Sequence, residues 1–350
     1  MTIEEKVLKK KDFQSDQEVR WCPGCGDYAI LSAVQTMFPS LGIPKEKFVV
    51  VSGIGCSSRF PYYMDTFGFH SIHGRAPAIA SGIKVARPDL EVWVATGDGD
   101  ALSIGGNHLI HLLRRNLGIK VIMFNNRIYG LTKGQYSPTS EAGKRTKSTP
   151  FGSIDLPFNP LSLALGAGAT FVARSVDIYQ RHLREVLTQA AEHQGSAYVE
   201  VYQNCNIFND GAFRYMTEKD VRDDQTLFLE HGQPLVFGRE KDKGVRLHGT
   251  QLEVIRFAEG FGPEDCLVWD ETDPNPTIAF MAAQMTAPEF PTPVGVLRSV
   301  GMPSYEVEAA AQIEQQIETR GQGTLEDLIY SGELWTVGQD GTITAGAHRS

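Results

Sequence analysis

Apolar runs rich in β-branched residues alternate with amphipathic stretches between about residues 26 and 205. Short, nearly continuous apolar runs are typical of parallel strands that are covered on both faces, and apolar residues at helical spacing predict helices between them. The alternation predicts an α/β fold, in which a mostly parallel sheet has helices on both faces. We expect strands over residues 48–51, 91–96, 119–124, 170–173 and 197–202, and helices over residues 29–37, 78–86, 109–113 and 179–192.

The pattern changes after about residue 230, where glycine, proline and charged residues become more frequent. A helix is predicted over residues 250–260, and an exposed helix over residues 306–318. The prolines within residues 288–303 disfavour regular structure and predict a segment that wraps over a surface. We therefore expect a main domain over residues 1–230 and an irregular C-terminal extension over residues 231–350, which packs on that domain or contacts another subunit.

Composition excludes several classes of partner. The chain has 350 residues, of which 41% are hydrophobic, so it can bury a large core. Its net charge is −9 without a long basic run, which disfavours nucleic acid as a partner. No apolar run approaches the roughly 18 residues of a membrane-spanning helix, and the N-terminal residues lack an apolar secretory stretch. We expect a soluble cytoplasmic protein without a membrane partner.

A glycine–aspartate turn and an asparagine pair follow two successive predicted strands. Gly97, Asp98 and Gly99 come after the first strand, and Asn125 and Asn126 after the second. The carboxyl ends of parallel strands meet at one edge of a sheet, where a tight glycine turn and a helix N-terminus favour an anion. A carboxylate, an amide oxygen and phosphate oxygens make the oxygen shell that Mg²⁺ prefers. The pair therefore predicts a magnesium–diphosphate site, although each half alone is also a common turn.

A second candidate for phosphate contact precedes the predicted helix over residues 78–86. His73, Gly74 and Arg75 lead into a run of small residues that would let a backbone approach closely. A histidine or arginine side chain there could contact phosphate. An ordinary helix cap with a solvated arginine explains the same residues equally well.

Four of the five cysteines have positions that favour a metal centre. Cys22 and Cys25 form a C-P-G-C turn, and Cys56 and Cys205 each follow a predicted strand, so that all four can reach the edge that holds Asp98. A structural zinc would normally show a second close pair, so the scattered third and fourth cysteines favour a [4Fe–4S] cluster. Zinc and unrelated free thiols remain alternatives. The fifth, Cys266, stands apart.

Together these motifs resemble the β subunit of the 2-oxoacid:ferredoxin oxidoreductases, and most closely the 2-oxoglutarate type. The resemblance covers roughly residues 20–210. It rests on WCPGCGDY (21–28), SGIGCSSR (52–59), HGRAPAIASGIK (73–84), GDGDALSIGGN (97–107), NRIYGLTKG (126–134) and QYSPT (135–139).

The resemblance implies a thiamine-diphosphate-binding fold and a specific set of site residues. Residues 1–230 would bind the diphosphate side of thiamine diphosphate and one [4Fe–4S] cluster, the latter through Cys22, Cys25, Cys56 and Cys205. Mg²⁺ would be held by Asp98, Asn126 and the Ile128 carbonyl. The residues implied to line the cofactor are Ile54, Gly55, Cys56, Ser57, His73, Gly74, Gly97, Gly99, Asp100, Gly130 and Leu131.

The implied reaction is the oxidative decarboxylation of a 2-oxoacid, in which coenzyme A receives the acyl group and ferredoxin receives electrons through the cluster. A partner α subunit, or a fused γ–α subunit, would supply the rest of the cofactor site. The assembly would be a dimer of heterodimers, active only with both subunits.

Arg59 is the candidate for substrate selection, because it lies three residues after Cys56 at a position where related proteins carry a basic residue facing the substrate. A guanidinium can grip the distal carboxylate of 2-oxoglutarate in a bidentate manner. The alternative is an ordinary surface arginine. Pyruvate and branched-chain 2-oxoacids are the other candidate substrates. A non-redox thiamine-dependent lyase with structural zinc, and a non-catalytic protein that keeps the fold, are the other candidate functions.

Overall fold

An eight-stranded sheet forms the centre of the structure, a computed structural model that describes residues 7–346. Its order is β2-β1-β3-β4-β6-β5-β11-β7, and β8, β9 and β10 form a separate sheet. Within the main sheet β11 runs antiparallel to β5, and all other neighbours are parallel. The strands are β1 (Phe48–Ser52), β2 (Phe67–His70), β3 (Glu91–Gly97), β4 (Ile119–Asn125), β5 (Phe171–Val176), β6 (Ala197–Tyr202), β7 (Thr226–Leu229), β8 (Val236–Phe237), β9 (Lys243–His248), β10 (Gln251–Arg256), β11 (Thr292–Ser299), β12 (Trp335–Val337) and β13 (Ile343–Ala345).

Helices cover both faces of the main sheet, as the sequence predicts. Within residues 7–346, no helix combines the length and the apolar character that crossing a membrane requires. The helices are α1 (Asp27–Met37), α2 (Phe60–Tyr63), α3 (Ala76–Ala86), α4 (Asp98–Leu102), α5 (Gly106–Arg114), α6 (Pro160–Gly166), α7 (Gln180–Glu192), α8 (Arg214–Thr217), α9 (Arg222–Gln225), α10 (Thr277–Ala283), α11 (Tyr305–Arg320) and α12 (Leu325–Ile329).

The alternation of side chains along each strand divides the core into two layers. In β1, for example, Val49 and Val51 belong to one buried cluster, whereas Phe48 and Val50 belong to the other. Helices α3 and α5 contribute to the first cluster, and α1 and α7 to the second. This burial on both faces explains why the strands are nearly continuous apolar runs in the sequence.

Most of the elements predicted for the first half of the chain are confirmed, but two predictions for the later part are wrong. Residues 251–256, predicted as helix, form β10, which pairs with β9 through a turn at Gly249 with φ of +62°. Residues 292–299, expected to wrap over a surface, form β11 between β5 and β7. The apolar run within β11 is typical of a strand, but the flanking prolines argued against one. Pairing with β5 and β7 stabilises the strand.

The main compact unit runs to Tyr305, well beyond the predicted boundary at residue 230. The strands β7 and β11 extend the central sheet, and Trp269 lies fully inside the same core as β1 and β3. Residues 231–305 are therefore part of the main fold rather than an irregular extension. The second unit begins at Glu306 and contains most of α11, the helix α12 and the hairpin of β12 with β13.

The parallel strands β1, β3, β4 and β6 bring four loops to one edge of the sheet. These loops begin after Ser52, Gly97, Asn125 and Tyr202. The strands end where buried apolar side chains give way to polar residues and glycine, so the chemistry-bearing residues gather at the edge where open α/β sheets bind ligands.

Candidate cofactor and metal site

A cavity lies at the carboxyl edge of β1, β3 and β4, and most of the predicted site residues line it. Asp27, Phe124, Tyr129 and Thr132 complete its wall. Gly74, Arg59, Cys22, Cys25 and Cys205 do not line it. The predicted residues that do are Ile54, Gly55, Cys56, Ser57, His73, Gly97, Asp98, Gly99, Asp100, Asn126, Ile128, Gly130 and Leu131.

Asp98 is the first residue of α4 and is buried at the cavity wall. Its Oδ2 accepts hydrogen bonds from the hydroxyls of Ser137 and Thr139, each at 2.6 Å. Burial raises the pKa of Asp98, and the two hydroxyls oppose that shift. Since both hydroxyls serve Oδ2, Oδ1 can coordinate a cation, which would favour the ionised carboxylate.

Asn125 and Asn126 form a polar turn after β4. The Asn126 Oδ1 atom accepts the Ile128 N–H at 3.1 Å, and Asn125 Oδ1 accepts the Arg127 N–H at 3.1 Å. Among the hydrogen bonds of residues 7–346, none uses the Ile128 carbonyl oxygen. This turn thus offers an amide oxygen and a backbone carbonyl at the wall that carries Asp98, which is the donor set that Mg²⁺ prefers.

Asp100 holds the loops of the cavity together. Its Oδ1 accepts from the backbone N–H groups of Ile54 (3.0 Å) and Gly74 (2.7 Å) and lies 2.5 Å from His73 Nδ1. Its Oδ2 accepts from the Thr96 hydroxyl at 2.7 Å. The carboxylate is therefore fully engaged by protein groups. It positions Ile54 and His73 at the cavity and ties down the neighbouring Gly74.

Close packing requires glycine at two positions, one in the motif at residues 52–59 and one in the motif at residues 97–107. A Cβ atom at Gly99 would lie 2.2 Å from the Tyr129 ring, and one at Gly53 would lie 2.1 Å from the Asp100 carboxylate. The Tyr129 hydroxyl donates to the Gly99 carbonyl at 3.0 Å, which fixes the ring across the turn. Any larger residue at these positions would displace the cavity wall.

The C-P-G-C turn packs against the loop that follows β6. The Cys25 N–H donates to the Cys22 carbonyl at 3.0 Å, and Gly24 lies in the left-handed region with φ of +83°. The Asn206 side chain donates to the Pro23 carbonyl at 2.6 Å, and Gln203 Nε2 donates to the Cys25 sulfur at 3.2 Å. These bonds place the two close cysteines beside the loop that carries Cys205.

Cys56 and Cys205 approach each other across Gly130 at the cavity wall. A Cβ atom at Gly130 would lie 3.5 Å from the Cys56 sulfur and 3.7 Å from the Cys205 sulfur. Burial, and then the charges of Asp27 and Cys205, raise the pKa of Cys56 to about 12, and burial also raises the pKa of Cys25. Thiols in this environment need a bound metal to become thiolates, because a metal supplies the positive charge that the site lacks.

The spacing of the four sulfurs distinguishes between the candidate metal centres. Among the described residues, no three cysteine sulfurs lie within 4.8 Å of one another. Tetrahedral zinc, with bonds of about 2.3 Å to sulfur, would hold its ligands about 4 Å apart. In the described residues the sulfurs are thus not arranged as the ligands of one tetrahedral zinc ion.

Two buried polar atoms in residues that line this cavity have no hydrogen-bond partner in the part of the chain that the structure describes. They are Ser57 Oγ and Asp27 Oδ2, and both residues line the cavity. Burial raises the pKa of Asp27 to about 7. Because buried polar groups are normally paired, these atoms fit a cavity that receives a polar ligand.

Besides the unpredicted wall residues named above, sequence reasoning missed the hydroxyls that hold Asp98. Ser137 and Thr139 lie in the motif QYSPT, and Asp27 lies in WCPGCGDY, but the motifs alone assigned them no role. Their contacts depend on loops that meet only in the folded chain. Arg59, which was assigned a role, is half-buried, and its Nη1 donates to the Arg20 carbonyl at 2.9 Å, outside the cavity wall.

Comparisons with known proteins identify the family. Residues 53–201 match the family model for the C-terminal TPP-binding domain of thiamine pyrophosphate enzymes. The chain is 52% identical over 332 residues to 2-oxoglutarate oxidoreductase subunit KorB of Mycobacterium tuberculosis, a match that covers 94% of this chain and 88% of that protein. This chain belongs to the β subunits of the 2-oxoacid:ferredoxin oxidoreductases. The resemblance inferred from the motifs is confirmed.

Other relatives of this β subunit indicate the same family. It is 44% identical over 241 residues to 2-oxoglutarate synthase subunit KorB of Archaeoglobus fulgidus, which covers 68% of this chain and 90% of that one. A solved 2-oxoglutarate:ferredoxin oxidoreductase from Magnetococcus marinus, with 2-oxoglutarate, coenzyme A and succinyl-CoA bound, matches with a TM-score of 0.75 and 34% identity. That match covers 94% of this chain and 97% of the solved chain, so the predicted thiamine-diphosphate-binding fold is confirmed.

Proposed function

We propose that this β subunit, together with an α subunit, converts 2-oxoglutarate, coenzyme A and oxidised ferredoxin to succinyl-CoA, CO₂ and reduced ferredoxin. The proposal rests on one observation, namely that the candidate magnesium site and the candidate cysteine site lie against the same cavity. Cys56 lines the same cavity as Asp98 and Asn126, and the side chain of Asn209, in the loop after Cys205, donates to the Asn126 carbonyl at 2.9 Å. A metal centre beside a thiamine site is what one-electron oxidation of a 2-oxoacid requires.

The magnesium site would use Asp98, Asn126 and the Ile128 carbonyl, with cofactor diphosphate oxygens completing the shell. Ser137 and Thr139 orient Asp98 for this role through their hydroxyls. The glycines 97, 99 and 130 keep the wall free of side chains, so that backbone groups can approach a diphosphate. Asp100 fixes the loops that carry Ile54, His73 and Gly74.

One [4Fe–4S] cluster would be bound by Cys22, Cys25, Cys56 and Cys205. The Gln203 amide beside the Cys25 sulfur supplies a hydrogen bond of the kind that tunes cluster potential. When bound, thiamine diphosphate stabilises the charge left by decarboxylation, and the cluster accepts single electrons. The protein's part is to hold both groups against a common wall.

The decisive experiment purifies the two subunits together and supplies 2-oxoglutarate, coenzyme A and ferredoxin. We expect a brown complex with about four iron atoms per β chain, as this cluster type requires, and reduction of ferredoxin that depends on both substrates. A colourless complex with one zinc per β chain, releasing CO₂ without reducing ferredoxin, would instead establish the non-redox lyase. Pyruvate and branched-chain 2-oxoacids, assayed in parallel, test the substrate assignment.

We further propose that Arg59 binds the distal carboxylate of 2-oxoglutarate. Its bond to the Arg20 carbonyl uses one donor of a guanidinium that has five, so the others can reach a substrate. We expect Arg59→Ala to raise the KM for 2-oxoglutarate at least about tenfold, since a hydrogen-bonded charge is lost, with a smaller effect on pyruvate. Steady-state kinetics on both substrates give the result.

Arg20→Ala is the matched control for this prediction. The Arg20 side chain pairs with Glu18 at 2.9 Å, and its backbone carbonyl, which Arg59 contacts, survives the substitution. Near-normal kinetics are expected for Arg20→Ala. Equal losses on 2-oxoglutarate and pyruvate in Arg59→Ala would remove any selective role for Arg59.

The α subunit is proposed to dock on the segment formed by residues 141–158. This segment is ordered by backbone hydrogen bonds between Gly143 and Ser153 and between Ser153 and Lys144. It nevertheless exposes 97% of Phe151, 96% of Ile154 and 84% of Leu156, which is typical of a covered interface. The residues directly before it hold Asp98, so a partner bound here would sit next to the cofactor cavity.

Replacing Phe151, Ile154 and Leu156 together with serine should therefore prevent co-purification of the α subunit and abolish ferredoxin reduction. Iron content of the β chain should remain unchanged, because the cysteine loops are untouched. Leu247→Ser, in β9 of the separate small sheet, combined with Val268→Ser, in an isolated bridge to Pro234, removes exposed apolar surface elsewhere and should leave the complex intact. Normal gel-filtration behaviour of the triple variant with the α subunit would contradict this docking site.

A further inference from the structure

A second cavity of about 340 Å³ lies beside the cofactor site, and the function proposed above does not use it. The two cavities share the polar turn after β4, since Asn125 lines the second cavity and Asn126 lines the first. Two arginines, two glutamates, tyrosines, asparagines and threonines face the second cavity. Polar and charged groups thus lie beside apolar ones such as Phe158 and Met285 on its wall.

The charged side chains on this wall are not all paired with one another. Arg174 and Glu200 form a buried ion pair at 2.7 Å, and Glu200 also accepts the Asn125 side-chain N–H at 2.7 Å, so this pair is neutral and satisfied. Glu141 is half-exposed and pairs with Lys144 at 3.3 Å. Arg127 has no carboxylate within ion-pair distance in the described part of the chain. The Arg127 guanidinium therefore has no carboxylate in direct contact, although the charge of Glu141 acts on it from farther away.

Arg127 is held rigidly in that position. Its guanidinium lies over the rings of Phe213, at 4.7 Å from the centroid, and Tyr202, at 5.6 Å. Its backbone has φ of +55°, a conformation that non-glycine residues rarely adopt and that persists where surrounding contacts enforce it. The Arg127 N–H is bound by Asn125 and its carbonyl by the Ser140 hydroxyl at 2.6 Å. A fixed guanidinium that no carboxylate contacts directly can bind an anion with its remaining N–H donors.

Thr292 provides an independent observation at the same cavity. It is 2% exposed, it lines the wall, and its hydroxyl has no hydrogen-bond partner within residues 7–346. A buried hydroxyl without a partner costs stability, and natural proteins rarely keep one unless a ligand or water uses it. The hydroxyl can donate to a ligand that enters this cavity.

We propose that this second cavity binds a small oxyanion, a carboxylate or a phosphate group, through the Arg127 guanidinium and the Thr292 hydroxyl. Arginine favours both groups because its N–H donors match two oxygens at once. The site is adjacent to the magnesium site but distinct from it. Thr139 lies between them, with its hydroxyl 2.9 Å from Asn125 Oδ1 and 2.6 Å from Asp98 Oδ2.

The test titrates inorganic phosphate, and separately acetate, into the complex of both subunits saturated with thiamine diphosphate and Mg²⁺. Saturation blocks the diphosphate site, and the part of the calorimetric signal that the cavity variants lose is assigned to the second cavity. We expect saturable binding of at least one of the two anions, and the comparison between them identifies the preferred group. Arg127→Gln should weaken that binding about tenfold or more, because a hydrogen bond to a charged group is lost.

Thr292→Val keeps the experiment decisive if Arg127→Gln fails to fold. In anion-free buffer this variant should unfold at the same temperature as the wild type or higher, since an unpaired buried hydroxyl has been removed. Its anion affinity should fall several-fold nevertheless. Lys219→Gln, an exposed cation outside the cavity wall and outside residues 141–158, is the control and should bind as the wild type does.

Two results would overturn the assignment. One is the absence of saturable phosphate and acetate binding to the cofactor-saturated complex, which would leave a cavity filled by water. The other is equal affinity in the wild type and both cavity variants. Anion binding needs neither 2-oxoacid nor ferredoxin, so either result would leave the proposed function untouched.

Discussion

Replacing Asp98 with alanine is expected to abolish magnesium-dependent binding of thiamine diphosphate to the complex of the two subunits. The carboxylate is buried, and it is the charged member of the proposed magnesium shell. Loss of a group that only orients a metal ligand typically weakens metal binding about 10–100-fold, so loss of the ligand itself should cost more than about 100-fold. Calorimetric titration of thiamine diphosphate with and without Mg²⁺ measures the effect.

The same prediction extends to the hydroxyls that hold Asp98. Ser137→Ala removes one of the two hydrogen bonds to Oδ2 and should weaken Mg²⁺ binding by a smaller factor than Asp98→Ala. Asp65→Ala, which removes an exposed carboxylate paired with Lys45, should have no effect. The visible absorbance of the cluster should persist in all three variants. Unchanged cofactor affinity in Asp98→Ala would exclude Asp98 as a magnesium ligand.

Replacing Cys205 with alanine should remove the iron–sulfur cluster and with it ferredoxin reduction, while cofactor binding survives. Cys205 faces Cys56 across Gly130, so its loss removes one of the four proposed thiolate ligands. We expect the visible absorbance to disappear and iron to fall from about four atoms per β chain to a small residue. Iron assay, absorbance and ferredoxin reduction together measure the change.

Cys266 provides a matched control within the same chain. It is buried, but it lies next to Gly244 in the small sheet and away from the other four cysteines. Cys266→Ala should keep full iron content and activity. If Cys205→Ala also kept four irons and reduced ferredoxin at the normal rate, the four-cysteine assignment would be wrong.

Much of the cofactor site could be predicted because its geometry follows from local rules. Asp98 and Asn126 converge because each ends a parallel strand, and parallel strands end at one edge. The C-P-G-C turn is likewise local, since proline and glycine favour the tight backbone that brings Cys22 and Cys25 together. For these residues, the local sequence pattern is enough to predict where the side chains meet.

Other parts of the fold could not be predicted from local pattern. Residues 251–256 carry apolar residues that fit a helix or a strand, and pairing with β9 decides for the strand. The proline-flanked run of β11 becomes part of the main sheet only because β5 and β7 lie on either side of it. Pairing partners far apart in the chain carry no local signal.

By itself, the sequence determined the α/β architecture of the first two hundred residues, the family, and the residues proposed to bind magnesium and iron. The tertiary structure alone decided that Ser137 and Thr139 hold Asp98, that Asp100 ties three loops together, and that Arg59 contacts the Arg20 carbonyl. It also decided that Arg127 and Thr292 face one cavity. The reason is physical: strand periodicity and turn chemistry act between near neighbours, whereas hydrogen bonds and charge balance depend on distant segments that only folding brings together.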